Sequence, residues 1–264
     1  MGSGALTLAG NNSYTGSTTI SAGTIRLGNA VSNNSTISGS ILINGGTLNY
    51  ATAVDDQISN SATVTLSSGS FALANRDETI GSIAMSGGAL SMSSGILTLS
   101  SPAGFTGGTI SMTAAGGSII ATGQTTLGNA TFSYSNVSNA SKGLILLSGL
   151  AVDADTTANF TNASTGVGRI SLEGSTQVFD VGASANMNIG WALASTTSSG
   201  ALTKNGTGTV TLSAANTYTG STTVNAGTLS LGNVNALQTT TLDTGTSGSQ
   251  AVTFSVVGAN TYNI

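Results

Sequence analysis

Polar and apolar residues alternate in short runs along most of this chain. Thr209-Val210-Thr211-Leu212 and Thr228-Leu229-Ser230-Leu231 are typical, each with the period of a strand that buries one face. The same alternation marks Ile41-Leu42-Ile43, Thr63-Val64-Thr65-Leu66, Ser82-Ile83-Ala84-Met85, Leu97-Thr98-Leu99, Thr109-Ile110-Ser111-Met112 and Val252-Thr253-Phe254-Ser255-Val256. Gly, Asn and Ser separate the runs and supply the tight backbone conformations that corners need. The pair Val210/Leu212 recurs nineteen residues on as Leu229/Leu231, and twenty-three further as Val252/Phe254; Leu6/Leu8 recurs as Ile25/Leu27, again after nineteen. Coils of roughly 20 residues, each stacking its aliphatic pair on the coil below, predict a β-solenoid. At about 4.8 Å per coil the chain would make roughly twelve coils and a rod about 55–60 Å long.

Two stretches repeat at an offset of 204 without a gap. Leu8–Asn29 reads LAGNNSYTGSTTISAGTIRLGN and Leu212–Asn233 reads LSAANTYTGSTTVNAGTLSLGN. The lead-in Leu202-Thr203-Lys204-Asn205-Gly206-Thr207-Gly208-Thr209-Val210-Thr211-Leu212 is matched by Gly2-Ser3-Gly4-Ala5-Leu6-Thr7-Leu8, with Gly2 on Gly206 and Gly4 on Gly208. A partial third copy opens at Gly258-Ala259-Asn260-Thr261-Tyr262. The repeat resembles the autotransporter-associated β-strand repeat of bacterial type V passenger regions, over about a quarter of the chain. The resemblance implies an all-β, right-handed parallel β-helix, carried to the cell surface or beyond by an outer-membrane translocator domain elsewhere in the full-length protein. It names no activity. We expect a single solenoid over 1–264, with repeat copies at 2–29 and 206–233 and a partial copy at 258–264.

Composition supports this reading. Charged residues are 5% of the chain, against about 25% in typical domains. Pro occurs once, at Pro102, against 37 Gly, which together with the alternation argues against a disordered Gly/Ser linker. The net charge is −4, and Arg26, Arg76, Lys142, Arg169 and Lys204 are scattered, so nucleic acid is not an expected partner. The longest apolar run, Gly143–Val152, is shorter than the roughly 20 residues of a membrane helix. Aromatic girdles of an outer-membrane barrel are missing, Trp191 being the one Trp. With no basic n-region or apolar h-region at the start, and both ends cutting through repeat units, we read the chain as part of a longer passenger.

The chemistry open to it is narrow. There is no His and no Cys, which removes His-based triads, imidazole metal sites, thiolate zinc sites and disulfides. The acids are Asp55, Asp56, Asp77, Glu78, Asp153, Asp155, Glu173, Asp180 and Asp243. Asp55-Asp56, Arg76-Asp77-Glu78 and Asp153-Ala154-Asp155 are the tight groups. A general acid/base pair on neighbouring coils is the functional reading, and solvated corners are the bland one. Nothing in their spacing sets them on one face at coil period. Asp153 and Asp155 could share a strand face and hold Ca²⁺, but supply only two ligands. Gly206-Thr207-Gly208 lacks the spacing and the following helix of a phosphate loop, so a corner is expected. Asn12, Asn216 and Asn260 precede Tyr14, Tyr218 and Tyr262 by two residues, and Asn29, Asn129 and Asn233 end Leu-Gly-Asn triplets. These Asn are expected to cap turns or ladder between coils, and the Tyr to close a corner over the core. The sequon Asn136-Val137-Ser138 is taken as a chance match.

We therefore expect a structural and adhesive rod without catalytic, metal or cofactor sites. Its partners would be surface or matrix glycans, and further copies joined end to end through unpaired strand edges. Two alternatives stand beside it. One is an ice- or glycan-binding face around Thr207, Thr209 and Thr211; the other is a polysaccharide-active β-helix enzyme.

Overall fold

The computed structural model describes residues 2–31, 35–135, 143–146, 148–162, 167–173, 176–195, 200–237, 240–245 and 250–254. Lys142, Leu147, the sequon at 136–138 and the third repeat copy at 258–264 lie outside them. The described residues form strands and corners with no helix, and hence no helix able to cross a membrane.

The strands stack in parallel on three faces. The first face runs through Thr18–Ile20, the starts of Ile41–Tyr50 and Thr63–Ala74, then Ser82–Met85, Ala103–Phe105, Thr125–Leu127, Leu150–Val152, Gln177–Val181, Leu202–Asn205, Thr222–Val224 and Leu242–Asp243. The second runs from Ala5–Leu8 through Thr24–Leu27, the ends of the two long strands, Ala89–Met92, Thr109–Met112, Thr131–Tyr134, Thr157–Asn162, Asn186–Ile189, Thr209–Leu212 and Gly227–Leu231 to Gln250–Phe254. The third stacks Glu78–Ile80, Ile96–Leu99, Ser118–Ala121, Gly143–Leu146, Arg169–Leu172 and Ala192–Ala194. A single bridge, Ile37 to Ile58, continues it toward the N-terminal end.

The aliphatic registers read from the sequence are the ones that form. Leu6/Leu8 pair with Ile25/Leu27, and Val210/Leu212 with Leu229/Leu231 and then Val252/Phe254. The period-2 pattern of the strands between these end rungs places one apolar cluster inside the rod from Ile20 to Leu237. The turn count differs from expectation: the stack makes about ten turns, not twelve, and is about 50 Å long. The reason is coil length. Leu202 pairs 20 residues on with Thr222, but Thr125 pairs 25 on with Leu150, and Leu150 pairs 29 on with Phe179. The terminal repeats set a short period that the middle coils exceed in their corners.

Those middle coils also hold the large aromatics. Phe132 and Phe160 stack at 4.7 Å on successive turns, with Phe105 edge-on below at 5.3 Å and Trp191 edge-on to Phe160 at 5.3 Å. Trp191 is fully buried and its Nε1 donates to Thr161 O at 2.8 Å. A Cβ on Gly168 would lie 2.4 Å from the indole ring, so only glycine fits there. At the corner entering the second face, Gly23 and Gly227 take the same left-handed conformation in the two repeat copies (φ 68° and 69°).

Candidate functional site

The acidic residues converge more than their spacing suggested. The corner before the third face carries Asp55 and Asp56 on one coil and Arg76, Asp77 and Glu78 on the next, and the pairing sets them side by side. Asp56 N donates to Asp77 O at 2.9 Å, Asp77 N donates to Asp55 Oδ1 at 3.1 Å, and Arg76 lies 3.6 Å from Asp55. The expectation that these groups do not meet at coil period is thus corrected. Coils here are 22 residues long at the Asp55–Asp77 step, not the 20 of the terminal repeat.

Each carboxylate in this cluster is occupied by the backbone of a neighbouring coil. Asp56 Oδ1 accepts from Thr79 N at 3.3 Å, and Asp77 Oδ1 from Ile96 N at 2.8 Å. Asp56 also takes a left-handed φ of 55°, a turn conformation that Asp tolerates. Glu78 departs from the solvated-corner reading altogether, because it is 2% exposed. Its Oε1 accepts from Ile58 N and its Oε2 from Gln57 N, both at 3.0 Å, and Tyr50 Oη donates to Oε2. Gln57, also buried, passes the connection down: its Oε1 accepts from Asn29 N at 2.9 Å and Thr36 Oγ1 at 3.1 Å, while its Nε2 donates to Val54 O at 2.9 Å. Burial pushes the Glu78 carboxyl up to about 8, against the three donors; the Asp56 charge adds to the rise. Burial beside Glu78 also holds Tyr50 well above the usual phenol range.

The other acids stand apart. Asp153 and Asp155 are exposed on the corner between first and second faces, where Thr156 Oγ1 bonds Asp153 O and Asp155 N bonds Ala183 O. Asp155 has a left-handed φ of 58°, so this is a turn and not the shared strand face that would present two ligands together. Glu173 accepts from Ser171 Oγ at 2.5 Å, and Asp243 from Gly245 N at 3.1 Å; Asp180 is exposed on the first face. Among the described residues no group of three or more acids is placed to hold a metal ion.

Lys204 was not singled out by sequence, yet it has no exposed surface. It occupies an inward position between Phe179 and Val224 on the first face. Its Nζ donates to Asn205 O (2.8 Å), Gly206 O (2.7 Å) and Ala226 O (3.1 Å), which satisfies all three N–H bonds. Burial pushes the ammonium down to about 8, with Asp180 opposing. The signal was present in the sequence: Leu202-Thr203-Lys204 alternates, and Lys204 falls in phase with Leu202. Gly206, the first glycine of the loop-like Gly-Thr-Gly, is a left-handed corner (φ 71°) that lends its carbonyl to this amine.

The Asn and Tyr residues of the repeat act as connectors. Asn216 Oδ1 accepts from Leu193 N and Nδ2 donates to Ala236 O, both at 2.8 Å, tying its coil to the ones before and after. Asn12 Nδ2 likewise donates to Thr36 O at 2.9 Å. Tyr14 Oη meets Thr18 Oγ1 at 3.0 Å and Tyr218 Oη meets Thr222 Oγ1 at 2.6 Å, the same bond in both copies. Asn29 and Asn233 cap turns through Val31 N (3.2 Å) and Asn235 N (2.9 Å), and Asn129 reaches Thr157 N on the next coil at 2.9 Å.

The outer side of the second face is the most regular surface. One column runs Thr47, Ser70, Ala89, Thr109, Thr131, Asn159, Asn188, Thr211, Ser230, and a neighbouring one Ala72, Ser91, Ser111, Ser133, Thr161. None of these residues is charged. Thr209 also points outward on this face, half-buried, whereas Thr207 sits exposed on the corner before it.

The passenger-associated-transport-repeat family model matches the chain twice, at residues 1–27 and 202–231. No curated protein and no solved structure matches it.

Proposed function

We propose that this chain, which carries two passenger-associated-transport-repeats of the autotransporter passenger type, is a non-catalytic rod within an exported passenger. It acts at the cell surface or in the extracellular space as a scaffold for adhesion or display, with an outer-membrane translocator domain expected in the full-length protein. The observation that carries this reading is the parallel stack that runs through both matched repeats and the described coils between them, with Asn residues of the motif spent on coil-to-coil bonds. Export also suits a stack in which each coil contacts only its neighbours, since folding can propagate coil by coil. The acids support the same reading: those of the Asp55–Glu78 cluster are engaged by backbone amides, and Asp153 and Asp155 sit on an exposed turn.

The test places residues 1–264 between a secretion signal and a translocator domain, with an epitope at the outer end. Surface display and cell–cell adhesion are compared with a variant lacking 206–233. Loss of display or adhesion supports the scaffold role. Unchanged display and adhesion overturn it, and so does a glycan-degrading activity abolished by Asp→Asn changes at Asp55, Asp56 and Asp77.

The second face favours a further reading, binding of neutral glycans or ice. Beyond Arg26 near its N-terminal end, the outer columns just described are uncharged and repeat at about 4.8 Å from coil to coil and about 6.6 Å along each strand. If this holds, Thr109→Lys with Thr131→Lys abolishes a glycan-array or thermal-hysteresis signal. Blank assays with the unaltered protein remove the reading. End-to-end association through exposed edges such as that of Ala5–Leu8 predicts an average mass that rises with concentration in sedimentation.

A further inference from the structure

Glu78 is a buried carboxyl with no cation against it among the described residues. The ionisable groups around it are Tyr50 on the long second-coil strand, Asp55 and Asp56 on the corner below, and Arg76 and Asp77 just before it. The one cation, Arg76, is paired with Asp55 at 3.6 Å. The adjoining strand above, Ile96–Leu99, and the coil below, through Asn29 and Thr36, bring no ionisable side chain. An ionised Glu78 would therefore be a buried charge with only dipoles for company and two carboxylates nearby, which is costly. A neutral Glu78 can keep the Tyr50 contact, since either hydroxyl, the phenol's or the carboxyl's, can donate across it. Water could reach the group if the exposed and half-buried corner at 51–56 lifted, and lifting would break the Gln57 bonds to Val54, Thr36 and Asn29.

We propose that the corner at 51–56 is a pH-sensitive latch, held shut by neutral Glu78 bonded to Tyr50, Gln57 and Ile58, and released when Glu78 ionises.

The sign follows from linkage. The closed-state carboxyl is raised from 4.5 to about 8. Between those values the closed state keeps a proton that the open state loses. Its contribution to closure is complete below pH 4.5 and is lost as pH rises through about 8. The open fraction should thus climb up to about tenfold per pH unit across this window and then level off.

Hydrogen exchange of the full chain tests this from about pH 5 to 9.5, read at the Gln57, Ile58 and Asn29 amides relative to those of Ser82–Met85, which cancels the intrinsic pH dependence of exchange. Wild type should show the climb, and Glu78→Gln, a neutral isostere whose one carbonyl oxygen can still accept from Gln57 N and Tyr50 Oη, should be flat. Asp56→Asn, conservative at a left-handed position, removes a charge that raises Glu78 and should move the levelling-off to lower pH. The same midpoint should appear in the ¹³C titration of the Glu78 carboxyl. A flat wild-type profile, a climb that survives in Glu78→Gln, or a midpoint that Asp56→Asn leaves in place would each overturn the proposal; the last holds even if Glu78→Gln fails to fold.

Discussion

Asn216 shows how much one polar side chain can organise here. Both ends of its amide bond backbone atoms of adjacent coils, Leu193 N and Ala236 O. Asn216→Ala should leave a buried donor and a buried acceptor short of partners, at about 1–3 kcal/mol each. We expect a fall in Tm of several degrees and lost exchange protection at Leu193. Asn12→Ala, whose site is half-buried, should cost clearly less. Lys204 gives a pH signature instead. Its folded-state ammonium is lowered from 10.5 to about 8, so between those values the unfolded chain binds more protons. The contribution of this group to stability therefore rises with pH across that window. In Lys204→Met that rise should vanish from the difference between denaturation midpoints measured at about pH 8 and pH 10.

At the scale of strands and corners, the corner glycines and the aromatic stack are under the tightest constraint. Gly227 has φ 69°, and a Cβ there would fall 2.4 Å from Gly208 O on the coil below. Gly227→Ala should cost about 1–3 kcal/mol from the backbone alone, and more if the coils must part. Chemical denaturation measures it. The alternation and the repeat made the strands legible, because a half-buried strand has to alternate and stacked coils have to repeat their aliphatic pairs. Thr209–Leu212 and Gly227–Leu231 fall where the pattern put them. Coil length in the middle was not legible. Corners between the second and third faces need not keep a period, and their lengths decide which residues stack. Hence Asp55 and Asp77 meet although no regular 20-residue repeat would bring them together. Glu78 and Lys204 share another cause. A charged side chain at an inward phase reads as a break in the pattern until its backbone partners are known.

For the molecule as a whole, the parallel stack makes stability additive from coil to coil, since each rung contacts only those above and below. The rungs are unequal. The Ala5–Leu8 rung pairs on one side with Thr24–Leu27, and its Leu6 is 51% exposed. In the middle, Phe132, Phe160 and Trp191 are buried and in mutual contact. Removing a stacked ring such as Phe132→Ala should cost about 3–5 kcal/mol, whereas a change at Leu6 removes a contact already half in water. Opening should then run inward from the edge rungs, and the stack should not melt in one step. Native-state hydrogen exchange under rising denaturant would show this as a gradient, with amides of Thr24–Leu27 released before those of Thr131–Tyr134. Phe132→Ala should flatten the gradient from the centre, while Leu6→Ala leaves it unchanged. Equal opening free energies at every rung would instead make the rod a single cooperative unit, and coil-by-coil folding during export would lose its physical basis.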